Sequence, residues 1–315
     1  MCGILFVVGD GAVARHSVAE VQALSSLMVH RGPDERGAAT LGTRAVMAHE
    51  RLSIVDLSAS GTQPLRLGGD GGDPAAATLL VANGEIYNHA EVRRALGSPH
   101  PTCSTSDCEV LLHAHAADKA RGAPPGDFVA QLRGMFAFVL YDGRSGTALA
   151  ARDHLGIKPL YMGFSPGGSP GGSPGGLTWF SSELKPLVGV CSRVREFPPG
   201  HVWSSDAGLR PYYDVHAALG CVQPAAAAVA AGAAAAAPPP PPPPPPRPTR
   251  EEVWARFEHA VRRRLMADVP VGAFLSGGLD SSVVCAVMRK LMGPGARARS
   301  STRDLLTSAF SSFFD

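Results

Sequence analysis

Cys2 follows directly on the initiator residue, and the chain begins Met1-Cys2-Gly3-Ile4-Leu5. Removal of Met1 would leave a thiol and a free α-amine on one residue. An unperturbed terminal amine has a pKa of about 7.7–8.0, against about 8.5 for a cysteine thiol. Near neutral pH that amine can take the thiol proton, directly or through one water, so no histidine is needed to make the nucleophile. Such a nucleophile opens amides. A second stretch with chemical potential is Ser276-Gly277-Gly278-Leu279-Asp280-Ser281-Ser282. A glycine-rich turn ahead of a helix points backbone N–H groups at an anion. It has neither the longer spacing nor the lysine of a Walker loop.

The elements that must position these residues are legible in outline. With 315 residues the chain has ample length to bury a core. A formal net charge of +2 demands neither nucleic acid nor an anionic membrane as partner. No apolar run approaches the roughly 20 residues of a membrane span, and the start lacks a secretory signal. Six cysteines are scattered without zinc-ligand spacing, so reduced thiols, no metal site and a cytoplasmic location are expected. Helical spacing is predicted over 18–28 and around 108–117, and a hairpin over 135–141 and 147–152. A second hairpin joins 160–162 to 177–180 through a Ser-Pro-Gly-Gly repeat. An Ala-rich stretch then runs into Pro238–Pro246. In polyproline II that proline tract spans roughly 25–30 Å, which marks a linker. Beyond it, Thr249 and Glu252 form a capping box for a helix carrying Val253, Phe257, Val261 and Leu265. A short strand is expected over 268–275, and a helix from Val283 to about Leu291.

Four polar clusters punctuate the first part: His30-Arg31-Gly32-Pro33-Asp34, His49 to Asp56, Asn83-Gly84-Glu85-Ile86-Tyr87-Asn88, and Ser104 to Glu109. Singly, each reads as a turn, a hairpin or a cap. With Cys2, with Arg152 to Tyr161 and with Ser182 to Leu187, they resemble the glutaminase domain of class II glutamine amidotransferases. Among these, glutamine-hydrolysing asparagine synthetases are the nearest resemblance. It covers Cys2 to about Tyr213. The heptad at Ser276 resembles the pyrophosphate loop of ATP pyrophosphatases.

The resemblance implies an α+β N-terminal-nucleophile hydrolase, an αββα sandwich of antiparallel sheets, over residues 1–215. A linker follows over 216–249, then an incomplete α/β ATP-pyrophosphatase domain over 250–315 that diverges from about 292. It makes Cys2 the nucleophile, with the Asn83 amide and the Gly84 N–H donating to the oxyanion. Arg51 would bind the glutamine α-carboxylate, and Asp107 and Glu85 its α-ammonium. Leu52, Ser53, Ile54 and Val55 would line the pocket, with Arg31 bracing the site. Leu275 would contact ATP, Ser276, Gly277, Gly278, Leu279, Asp280, Ser281 and Ser282 would cradle its pyrophosphate, and Mg²⁺ would accompany the nucleotide.

The implied reaction takes ammonia from glutamine and, with ATP, amidates aspartate; a homodimer is the implied assembly. One strand and two helices cannot close a doubly wound sheet, so the second domain is expected to be a fragment. On that expectation, this chain performs only the glutaminase half. Two alternatives are a class II amidotransferase with another acceptor and a non-catalytic partner that modulates longer subunits.

Overall fold

The computed structural model describes residues 1–69, 73–97, 103–166, 176–218 and 247–293. The chain divides into two units, Met1–Pro245 and Pro246–Asp315. Residues 167–175 of the Ser-Pro-Gly-Gly repeat and most of the expected linker lie outside the described residues, as does the tail from 294.

Among the described residues the first unit has twelve strands in two antiparallel sheets. The first sheet runs β10 (Arg193–Glu196), β8 (Tyr161–Phe164), β9 (Thr178–Ser181), β1 (Gly3–Val8), β3 (Ala45–Arg51), β2 (Glu35–Leu41). The second runs β12 (Gly208–Pro211), β11 (His201–Ser204), β7 (Thr147–Arg152), β6 (Gly134–Asp142), β5 (Thr78–Ile86), β4 (Leu65–Leu67).

Period-two alternation explains why the central strands are apolar on both faces. In β1, Ile4, Phe6 and Val8 enter the core between the sheets, and Leu5 and Val7 the core beneath the first helices. In β6, Ala137, Val139 and Tyr141 face the inter-sheet core, while Phe136, Phe138 and Leu140 face the other helical layer. Helices α1 (Ala12–Arg15) and α2 (Val18–Ser25) cover the first sheet. Helices α3 (His89–Ala95) and α4 (Val110–Ala120) cover the second. The four layers are the αββα sandwich that the resemblance implied.

The 18–28 helix is α2 followed by a 3-10 turn over Ser26–Met28, and its start is a capping box between Ser17 and Glu20. Both expected hairpins are present, with Asp142 opposite Thr147 and Phe164 opposite Thr178. A short helix α5 (Val215–Ala218) follows the last strand.

In the second unit, the Thr249–Glu252 capping box starts α6 (Arg250–Arg263). Two expectations fail there. Residues 268–275 form no strand, because no neighbouring strand among the described residues offers a ladder to their N–H and C=O groups. The following helix, α7 (Leu279–Met292), begins four residues before Val283, so Leu279 to Ser282 are its first turn rather than loop. Val261 and Val287 are buried, whereas Phe274 is fully exposed.

Candidate active site

Cys2 lies one residue ahead of β1 and shares the parity of Ile4, which aims it at the seam between the sheets. Asn83 shares the parity of Val81 and meets it there from β5. The Cys2 N–H donates to Asn83 Oδ1 at 3.0 Å. Asn83 is buried, and its Nδ2 has no hydrogen-bond partner among the described residues. An amide donor left bare inside a protein is costly, so this one is poised for a guest. Gly84 has φ 149°, and a Cβ there would overlap the Met135 carbonyl, so the tight pass beside Asn83 requires glycine.

Cys2 Sγ accepts from the Leu52 N–H at 3.4 Å and lies 3.7 Å from the Leu52 carbonyl. Burial pushes the thiol pKa up, and the Leu52 bond only partly offsets it. The thiol therefore needs a base. Burial also lowers the pKa of the Met1 amine at the same place, which favours its neutral, proton-accepting form.

Cys2, Arg51, Leu52, Ile54, Val55, Asn83, Gly84, Glu85 and Asp107 line a single cleft. Of the pocket residues implied by the resemblance, Ser53 alone does not; its N–H donates to Asp34 at 2.8 Å. Arg51 is 3% exposed, and its guanidinium is already engaged. It donates to Glu35 at 2.7 Å, to the Ser58 carbonyl at 3.2 Å and to the Asp56 carbonyl. Gly61 makes room for it, since a Cβ there would overlap the guanidinium. Glu85 and Asp107 face the same space. Burial, and for Glu85 the neighbouring Asp107 charge, push both carboxyls well above the usual range. Asp107 is held by the Ile86 N–H at 2.6 Å.

Three residues without an assigned role also shape the site. Asp56, at φ 59°, accepts from the Ser58 N–H at 3.0 Å, the Ser60 hydroxyl at 3.2 Å and the Thr105 N–H at 2.8 Å. It thereby ties the 52–60 loop to the segment that carries Asp107. Burial opposes its charge, but these bonds outweigh burial and hold its pKa down to about 2. His49 links the sheets through Nε2 and the Ala82 carbonyl at 3.0 Å, and burial lowers its pKa to about 4, so it stays neutral. Lys158, 9% exposed, brings a cation to the cleft wall. Asp56, His49 and Lys158 all fall within the polar stretches legible in the sequence, but their contacts are tertiary. Arg31 braces the site: its Nε donates to the Cys2 carbonyl at 3.0 Å.

In the second unit, the Ser276 N–H donates to Ser281 Oγ at 3.3 Å, and the two hydroxyls lie 3.0 Å apart. Ser282 Oγ donates to the Gly278 carbonyl at 2.9 Å. Gly278 caps α7 without a side-chain bond, and Gly277 turns at φ 84°. The first-turn N–H groups thus have no side-chain cap, which suits an anion. Residues 276–280 are all exposed, Leu275 is half-buried, and Asp280 is the acidic group of the first turn. Among the described residues no helix is long and apolar enough to cross a membrane.

Comparison with known proteins agrees with this geometry. Residues 1–201 match the glutamine amidotransferase domain, and residues 252–310 match asparagine synthase. Asparagine synthetase B [glutamine-hydrolyzing] of Escherichia coli is 37% identical over 294 residues, covering 91% of this chain and 44% of that protein. Asparagine synthetase [glutamine-hydrolyzing] 2 of Oryza sativa is 39% identical over 291 residues, covering 92% and 42%. The chain therefore spans less than half the length of these relatives. In fold, the glutamine phosphoribosylpyrophosphate amidotransferase of B. subtilis, solved with ADP and GMP, aligns with a TM-score of 0.50. It is 20% identical and covers 66% of this chain and 48% of that one. The chain belongs to the glutamine amidotransferase domain family, and its relatives there are glutamine-hydrolysing asparagine synthetases.

Proposed function

We propose that the first unit hydrolyses the side-chain amide of glutamine with Cys2 as nucleophile. The observation that carries this reading is the bare Asn83 Nδ2, buried beside Cys2 while its Oδ1 is occupied by the Cys2 N–H. Excision of Met1 turns that N–H into an amine. The amine takes the thiol proton, sulfur attacks the amide carbon, and the carbonyl electrons move onto oxygen. Asn83 Nδ2 and the Gly84 N–H donate to that oxyanion. The C–N bond then breaks, the amine's proton leaves with ammonia, and water hydrolyses the glutamyl thioester.

Glu85 and Asp107 receive the substrate's α-ammonium. Burial is the first cause of their raised pKa values, and an ammonium bound between the two carboxyls would lower both. Arg51 is assigned to the α-carboxylate, beside its bonds to Glu35 and to the loop that carries Leu52, Ile54 and Val55.

We propose that the second unit belongs to the reaction of the longer relatives, in which ammonia from glutamine amidates aspartate at the expense of ATP, with the glutaminase half assigned to this chain. Leu275 would contact the nucleotide and Ser276 to Ser282 would hold the pyrophosphate at the α7 N-terminus, where a Mg²⁺ ion arriving with ATP would neutralise phosphate charge. The domain limits 1–215, 216–249 and 250–315, a homodimer and a cytosolic location belong to the same proposal.

The test is glutamine turnover by the full chain and its Cys2→Ala variant. Glutamate release that vanishes in the variant, with the fold unchanged, supports the reading; equal turnover refutes it. Asparagine formed after addition of aspartate, ATP and Mg²⁺ would assign the second step to this chain as well.

A further inference from the structure

Cys2 is held from its carbonyl side by a relay that begins 181 residues away in the sequence, at Glu183. The segment Ser181-Ser182-Glu183 is stitched to β1 close to Cys2. The Ser182 N–H donates to the Ile4 carbonyl at 3.0 Å, and the Ile4 N–H donates to Ser182 Oγ at 3.0 Å. The Glu183 N–H donates to Ser181 Oγ at 3.3 Å. From this fixed base, Glu183 Oε1 accepts from Arg31 Nη1 at 3.2 Å and from His30 Nε2 at 2.9 Å, while Oε2 accepts from Lys185 Nζ at 3.0 Å. Arg31 Nε then reaches the Cys2 carbonyl at 3.0 Å.

Burial separates the inner from the outer members of this cluster. The Arg31 side chain is 10% exposed and that of Glu183 is 21%, whereas His30 and Lys185 are each more than half exposed. A guanidinium donates in fixed directions, so a carboxylate on Nη1 orients the Nε–H. Burial alone would raise the Glu183 pKa, but bonds from Lys185, His30 and Arg31 reverse that and keep it ionised. Without the carboxylate, Arg31 would be a nearly buried cation without its partner, and such a group is strongly unfavourable.

We propose that Glu183 is a positioning residue for Cys2: by fixing Arg31 it fixes the Cys2 carbonyl, and so the angle at which the thiol meets the Asn83 amide. This rests on the glutaminase reading for its effect on turnover, but not for its effect on the thiol itself. A misplacement of about 1 Å at a reacting group can cost on the order of 10²-fold in rate.

The experiment uses the full chain and two readouts. In Glu183→Ala, kcat for glutamine falls at least tenfold while KM moves less than threefold, because the cleft residues that bind glutamine are untouched. Arg31→Ala gives a similar fall, and the double variant adds little to either. Glu183→Gln, which keeps an oxygen acceptor for Arg31, recovers part of the loss, and Lys185→Ala, which leaves the Glu183–Arg31 pair in place, gives a smaller fall than Glu183→Ala. Independently, alkylation of Cys2 by iodoacetamide, followed on the N-terminal peptide, becomes several-fold faster in Glu183→Ala, while buried Cys108 stays protected. Cys2 alkylation unchanged in Glu183→Ala would overturn the assignment. So would Cys108 labelled in step with Cys2, since that reports a loosened sheet. If the parent protein itself fails to hydrolyse glutamine, the functional reading falls and the alkylation result still decides the role of Glu183.

Discussion

The cleft at Cys2 and the turn at Ser276 are both short polar stretches at the end of an apolar segment, yet the structure treats them differently. Around Cys2 the polar groups are buried and held by bonds from across the chain: Asn83 from β5, Leu52 from the loop after β3, Arg31 from the loop after α2. Around Ser276 the side-chain bonds among the described residues are local, spanning no more than five residues, and residues 276–280 are exposed. Two packed sheets can exclude water and hold a donor bare. A turn ahead of one helix supplies donors but leaves them solvated, where each is worth less.

The sharpest way to break this contrast is at the nucleophile. Cys2→Ala should reduce glutamine turnover to background with no change in thermal unfolding. Next comes the oxyanion donor: Asn83→Ala should cost about 10²–10³ in kcat, the usual loss for one such group, with a smaller effect on KM. A loss confined to KM would mean that Asn83 only binds substrate.

The carboxyl pair tests the electrostatics. Both folded pKa values are raised, so these groups bind more protons folded than unfolded, and their penalty to stability grows as pH rises through the range between the two values. Glu85→Gln should therefore raise the unfolding temperature at neutral pH while raising KM for glutamine roughly tenfold, the scale of one charge-assisted hydrogen bond. Glutamine binding near neutral pH should also release protons, seen as a buffer-dependent binding enthalpy. A variant that is both less stable and unchanged in KM would place the ammonium elsewhere.

Asp56 gives a smaller effect of opposite sign. Its folded pKa of about 2 lies below the ordinary value, so it contributes stability above that ordinary value and loses it as pH falls towards 2. The difference corresponds to about 2 kcal/mol at neutral pH. Asp56→Asn should lose about that much in denaturant unfolding at pH 7 and much less at pH 2.5. The smallest effect is expected on the exposed turn: millimolar pyrophosphate with Mg²⁺ should shift the unfolding of the second unit by no more than a degree or two. A shift of many degrees would show that the turn is as well organised as the cleft.

The comparison also explains what could be read from the sequence. Hairpins and capping boxes are local, so β6–β7 and the Thr249 cap were legible from spacing alone. That Cys2, Asn83 and Asp107 share one cleft was legible because a resemblance supplied the long-range pairing that spacing cannot. The contacts of Asp56, Glu183 and Lys158 were not, since each is made with neighbours brought close only by folding. The 268–275 segment was misread for the same reason, because an apolar run becomes a strand only beside another strand.

The central claim is that a freed Cys2 carries the acyl group. Rapid quenching of the full chain during glutamine turnover, followed by mass analysis of the N-terminal peptide, tests it directly. The account predicts a peptide that starts at Cys2, lacks Met1 and carries a glutamyl thioester. Glutamate produced by a protein whose N-terminal peptide keeps Met1 and stays unmodified throughout would contradict it.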